Sequence, residues 1–178
     1  MKFSKIKLRE KVKNLGFIGS DYLPNKDAII WFISNVFQFL DDKIKLNIYG
    51  KVCIHLKSFK SDNIILHGYT ESIDNIYSNI DIVINPVRCG AGLKIKNIEA
   101  LGHGLPLITT SNGSAGIRNQ VDKSFLIADH SLAFLEKLNL LIMDFKRRKD
   151  LAYNAHKFIS EHFSEEKCFD SLVEVINN

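Results

Sequence analysis

Six short apolar runs, alternating with helical patterns, set narrow limits on what this 178-residue chain can fold into. The runs begin at Leu15, Lys45, Asn63, Asp81, Pro106 and Ser124, and the first three end in Gly19, Gly50 and Gly68. After Pro24, apolar residues recur at helical spacing through Ala28, Ile29, Phe32, Ile33, Val36, Phe37 and Leu40, with Asn25 or Asp27 as the expected cap. Shorter helices are predicted over about 72–78 and 94–102. Beyond Ser131, one helical stripe runs through Leu135, Leu138, Ile142 and Phe145, and another through Leu151, Ala155, Phe158 and Ile159. Val173 and Ile176 predict a last helix. Strands alternating with helices build βαβ units, hence a parallel sheet covered on both faces. Right-handed crossovers then give a Rossmann-like, doubly wound α/β sheet of about six strands. Ligands of such sheets sit beyond the carboxyl ends of the strands, so the loops after Gly19, Gly68 and Pro86 are where a site is expected.

Composition removes several classes. With 46% hydrophobic and 25% charged residues, the chain is neither disordered nor fibrous. No apolar stretch approaches the roughly 18 residues of a spanning helix, and the basic N-terminus lacks the apolar core of a secretory signal. Cys53, Cys89 and Cys168 are far apart and form no CxxC, which implies neither a disulfide framework nor a zinc knuckle and predicts a cytoplasmic setting. The net charge of +4 is local: residues 1–14 carry +5 and the remainder −1. A basic arm over residues 1–13 before a neutral domain is not the broad basic face that nucleic acid requires. Two readings of the arm stay open: a solvated linker, or a segment lying near anionic lipid at the inner face of a membrane.

The chemistry is concentrated between Asn85 and Gly104. Gly90 and Gly92 permit backbone conformations and close approach that a side chain would block. The helix opening near Leu93 aims its unpaired N–H groups and positive end at whatever occupies the loop, and Lys94 adds a full charge. Such a loop is an anion cradle suited to phosphate or diphosphate. Gly90-Ala91-Gly92 lacks the third glycine of GxGxxG and follows the fourth strand, no GxxxxGK[ST] is present, and Gly113-Ser-Ala-Gly116 is not a nucleophile elbow. The six histidines show no metal-binding spacing. Arg88 and Lys96 read as exposed, Trp31 as packing, and Gly102 and Gly104 as a helix stop and turn.

The run Pro86–Gly104 and the following Leu105-Pro-Leu-Ile-Thr-Thr resemble the donor half of the group 1 glycosyltransferases, a retaining family with the two-halved GT-B fold. Glu99-Ala-Leu-Gly-His-Gly-Leu-Pro106, Phe17-Ile-Gly-Ser-Asp-Tyr-Leu-Pro-Asn-Lys-Asp27, Asn47-Ile-Tyr-Gly50 and Asp81-Ile-Val-Ile-Asn-Pro86 resemble further family segments in the right order. The resemblance covers about residues 14–140. It implies that Glu99 holds the donor ribose, a sensible task for a carboxylate facing two hydroxyls. It places Ala91, eight residues before Glu99, where the family has a glutamate on the transferred sugar. Some branches carry a G-x-G-x-K style loop instead, and this sequence resembles those. Gly90, Gly92, Leu93 and Lys94 would then hold the diphosphate. At the first loop, Gly19 is followed by Ser20 where the family often has arginine, Lys26 fits the family lysine, and Tyr69 and Thr70 fall where the base is contacted.

The implied reaction is retaining transfer of a sugar from a nucleoside diphosphate to an acceptor hydroxyl, in glycan or polysaccharide biosynthesis. It uses no cofactor and no metal: helix-end amides and Lys94 stabilise the leaving diphosphate. The expected organisation is the arm (1–13), a donor-binding domain (14–146) and C-terminal helices (147–178) that pack back on an N-terminal acceptor half. That half is expected in the full-length protein or a second chain, and this chain alone is expected not to catalyse transfer. Two alternatives stand beside this: a catalytically idle nucleotide-sugar-binding or partner-binding module, and an unrelated Rossmann-like NAD or flavin binder. The bland reading of Glu99 is a surface residue pairing with Lys96.

Overall fold

A computed structural model describes residues 8–59 and 61–163. Six strands form one sheet: β1 (Asn14–Ile18), β2 (Lys45–Tyr49), β3 (Ile64–Gly68), β4 (Ile82–Asn85), β5 (Leu107–Thr109) and β6 (Leu126–Ile127). All pair in parallel, in the order β3-β2-β1-β4-β5-β6. Each strand coincides with one of the six predicted apolar runs. Five α-helices accompany them, the last two following β6: α1 (Leu23–Asn35), α2 (Ile73–Ser78), α3 (Ile95–Gly102), α4 (Ser131–Met143) and α5 (Phe145–His162). Between β2 and β3 the crossover is a single 3-10 segment, Lys51–His55.

Side-chain alternation along the strands divides the core in two. Leu15, Phe17, Leu46, Ile48, Ile82 and Ile84 face α1 (Ala28, Ile29, Phe32) and α4 (Phe134, Leu138, Leu141). Tyr49, Val83 and Leu107 face α2 (Ile76, Tyr77), α3 (Ile98, Leu101) and α5 (Ala155, Phe158, Ile159). Both faces of the central strands are therefore dry, which explains their near-continuous apolar sequence. Gly16 is required by packing, because a Cβ there would overlap the Ile80 side chain.

One local point differs from the sequence expectations. Helix α1 starts one turn early: Tyr22 is its N-cap, Pro24 lies in the first turn, and neither Asn25 nor Asp27 caps it. Ser72 and Asp144 do cap α2 and α5, accepting from the Asn75 and Arg147 amides. Residues 147–162 form most of α5 and bury Ala155, Phe158 and Ile159 against α3 within this domain. The helix predicted around Val173 lies outside the described residues, as do residues 1–7 of the basic arm.

Strand β1 pairs with both β2 and β4, and the chain leaves it in opposite directions on its two sides. That reversal opens a crevice at the carboxyl ends of β1 and β4. The loops 19–22 and 86–94 flank it.

Candidate functional site

The two flanking loops enclose a cavity of about 260 Å³, lined by Pro24 and Asn25 on one side and by Gly90, Ala91, Lys94 and Lys96 on the other. The glycine loop is built for its shape. Gly90 (φ 101°) and Gly92 (φ 78°) both sit in the left-handed region that a side chain disfavours. Lys94 is the N-cap residue of α3, and its ammonium folds over the loop to the carbonyls of Gly90 (3.4 Å), Ala91 (3.1 Å) and Gly92 (2.9 Å). Asn112 braces the loop from outside by donating to the Gly90 carbonyl.

Beneath it, fully buried Asn97 locks the first turn of α3 to the sheet. Its Oδ1 accepts from Asn85 Nδ2 (2.8 Å) at the end of β4, and its Nδ2 donates to the Gly113 carbonyl (2.9 Å). The start of α3 is thus a rigid platform at the cavity edge, where the first N–H groups of a helix lack intrahelical partners.

Lys96 departs from the expected exposed position. It reaches back under the loop, where its Nζ donates to Asn25 Oδ1 (2.8 Å) and lies 4.6 Å from the Phe17 ring centroid. Burial, and secondarily Lys94, pull its pKa down to about 7, against the opposing charge of Glu99. Asn25 in turn donates to Ser20 Oγ (3.1 Å), linking α3 through α1 to the loop after β1. The sequence reading missed both Lys96 and Asn25. The Lys94-x-Lys96 doublet beside two glycines was the available signal.

Glu99 lies one turn further along α3, half-buried, with its Oε2 3.0 Å from the Tyr77 hydroxyl that donates to it. The surface-pair reading therefore gives way to a carboxylate held from α2. Burial and the Glu99 charge raise the Tyr77 pKa well above the ordinary range, so it remains a phenol donor. Tyr77 was also missed, since nothing local in the sequence connects it to Glu99.

The remaining predicted residues are dispersed. Gly19 is held by backbone bonds to Tyr49 and from Val52, and Ser20 by Asn25. Ala91 and Leu93 are exposed and line the cavity. Lys26 is half-buried on α1 and is not part of the lining. Tyr69 is 74% exposed, and Thr70 borders a second cavity of about 420 Å³ together with Asn47, Tyr49 and His67. Arg88 is exposed as expected, but it is engaged: Nη2 donates to both Asp27 oxygens at 2.9 Å, and the guanidinium stacks over Trp31. Among the described residues no group of three or more His, Cys, Asp or Glu could hold a metal ion, and no helix is long and apolar enough to cross a membrane.

Residues 12–144 match the profile of the family described as glycosyl transferases group 1. The chain belongs to that family. A curated relative, an uncharacterized 44.6 kDa protein in the cps region of Klebsiella pneumoniae, is 28% identical over 173 residues, covering 89% of this chain and 45% of the relative. The chain therefore spans about half the length of the curated relative it matches. Its fold is that of solved GT-B glycosyltransferases. The Anabaena HepE structure, in complex with UDP and glucose, superposes with a TM-score of 0.79 at 15% identity, covering 94% of this chain and 49% of HepE. The C-terminal domain of the group 1 family protein LpcC from Francisella tularensis superposes at 0.68 with 17% identity, covering 92% of this chain and 97% of that domain. The half-length coverage on one side and near-complete coverage on the other fit a C-terminal domain of the two-halved fold.

Proposed function

We propose that this domain binds the nucleoside diphosphate sugar of a retaining glycosyltransferase, with the diphosphate at the Gly90–Lys94 loop. The observation that carries the reading is the loop itself: two left-handed glycines, the N-terminus of a braced helix and a lysine converge on one cavity at the strand-order reversal. An anion there meets backbone N–H groups, the positive end of α3 and the Lys94 charge, which would leave the Gly90–Gly92 carbonyls for the phosphate oxygens. Glu99, aimed by Tyr77, is the ribose carboxylate, and Tyr69 and Thr70 offer backbone to the base. The UDP bound to HepE, whose fold this chain shares, supports a nucleoside diphosphate as the ligand class.

In transfer, the glycosidic bond breaks and negative charge grows on the departing diphosphate. The fixed amides and Lys94 stabilise that charge without a metal. The acceptor and its hydroxyl belong to an N-terminal half, so this domain alone binds and does not turn over. One observation favours the idle-module alternative: Ala91, in the cavity wall, offers no carboxylate to the transferred sugar.

Calorimetric titration with UDP, GDP and ADP and their sugar conjugates tests the reading. One base is expected to be preferred, and Lys94→Ala and Glu99→Ala are each expected to weaken it tenfold or more, about 1.5–3 kcal/mol. Indifference of both variants, or preference for NAD, would reject it. Adding an N-terminal half separates enzyme from idle module by the appearance of turnover.

A further inference from the structure

Resting on the donor-binding reading, we propose that Lys96 is a second phosphate ligand, held beneath the glycine loop by Asn25 and Phe17 and supplied to the diphosphate when the donor binds. Lys96 lines the same cavity as Gly90, Ala91 and Lys94. Its ammonium faces a neutral amide, 2.8 Å from Asn25 Oδ1, and an aromatic ring. Among the described residues it forms no ion pair with any carboxylate. The groups around it are few: Lys94 and Glu99 from α3, Asn25 from α1 and Phe17 from β1. Of these only Glu99 is acidic, and its carboxylate is engaged by Tyr77.

A structural role does not explain this placement. Over the Phe17 ring a methionine would fill the same space without carrying an amine out of water. A lysine kept there without an ion pair, its one acidic neighbour Glu99 held by Tyr77, is a site waiting for an anion, and a diphosphate brings one. Two lysines then face the two negative charges of a diphosphate diester, which favours diphosphates over monophosphates as ligands. Because burial brings the Lys96 pKa near neutrality, donor binding above pH about 7 draws a proton from solvent onto Nζ. Nucleoside diphosphate sugars have no phosphate titrating in this range, so the proton uptake reports the protein.

The experiment is calorimetry of the chain with UDP-glucose, GDP-mannose and ADP-glucose in parallel, in buffers of unlike ionisation enthalpy, from about pH 6 to about pH 9. Binding is expected to take up close to one proton at the alkaline end, and affinity to fall about tenfold from neutrality upward. Lys96→Met should abolish the uptake, flatten the pH profile and weaken neutral binding on the order of tenfold. Lys96→Arg, permanently charged, should restore binding at high pH with a flat profile. If Lys96→Met binds like the wild type with the same proton uptake, the inference falls while donor binding stands. If the wild type binds none of the three sugars at any pH, the donor reading falls and takes the inference with it.

Discussion

The two ends of the sheet treat charge in opposite ways. At the amino ends of β1 and β4, buried Asp81 accepts from Arg9 Nη1 (2.7 Å) and from the Lys13 and Asn14 amides (2.8 and 2.9 Å). Nearby, Arg148 is 1% exposed and donates to the carbonyls of Arg9 and Glu10 and to those of Leu141 and Ile142 at the end of α4. Asp81 is paired with Arg9, and Arg148 spends its guanidinium on four carbonyls from two distant segments; the result is a strap that ties the segment before β1 to the junction of α4 and α5. At the carboxyl ends, Lys94 and Lys96 meet only carbonyls and an amide. Charge whose contacts bridge distant segments holds the fold together; charge folded over a local loop at a cavity is available to a ligand.

This contrast can be broken first at the strap. Arg148→Met would leave four carbonyls, one of them fully buried, without their shared donor, and should cost on the order of 3 kcal/mol in urea unfolding. Nucleotide affinity should change less than about twofold, since the strap and the cavity share no partner. A large loss of affinity would show that the two ends are coupled. Second comes Lys96→Met, which should stabilise the fold. A lysine whose folded pKa is lowered binds fewer protons folded than unfolded, so its penalty is full below about pH 7 and fades as pH rises toward the ordinary lysine value. The gain should be on the order of 2 kcal/mol near pH 6 and should shrink in alkaline solution. A pH-independent difference would remove the Lys96 charge from the account. Third, Lys94→Ala should leave unfolding within about 0.5 kcal/mol of wild type, because its carbonyl partners are solvent-exposed. Tyr77→Phe, which frees Glu99 to turn, is expected to cost about 1 kcal/mol in stability and only a few-fold in affinity for the nucleoside part.

What the sequence revealed follows the range of the interactions concerned. The six strands were legible because each is a local apolar run ending in a glycine, a proline or a polar residue. The glycine loop was legible because Gly90, Gly92 and Lys94 are neighbours in the chain. Lys96 was not, because its burial depends on Asn25 and Phe17, more than 70 positions away, and its two-residue spacing from Lys94 reads as an exposed helix start. Asn25 was assigned a capping role on local grounds, yet the amide is spent on Ser20 and Lys96. The stripe of α5 was legible as one buried face, but an amphipathic pattern does not reveal that α3 receives it.

The central claim is that the carboxyl end of the sheet binds the diphosphate, and amide chemical-shift mapping tests it most directly. On adding the preferred nucleoside diphosphate sugar, the largest shifts are expected at Gly90, Gly92 and Leu93 through Asn97, with smaller ones at Gly19 and Ser20. Lys13, Asn14 and the α4–α5 junction should stay still. Shifts centred on the strap, or on the cavity of Asn47 and His67 with the glycine loop unmoved, would contradict the account.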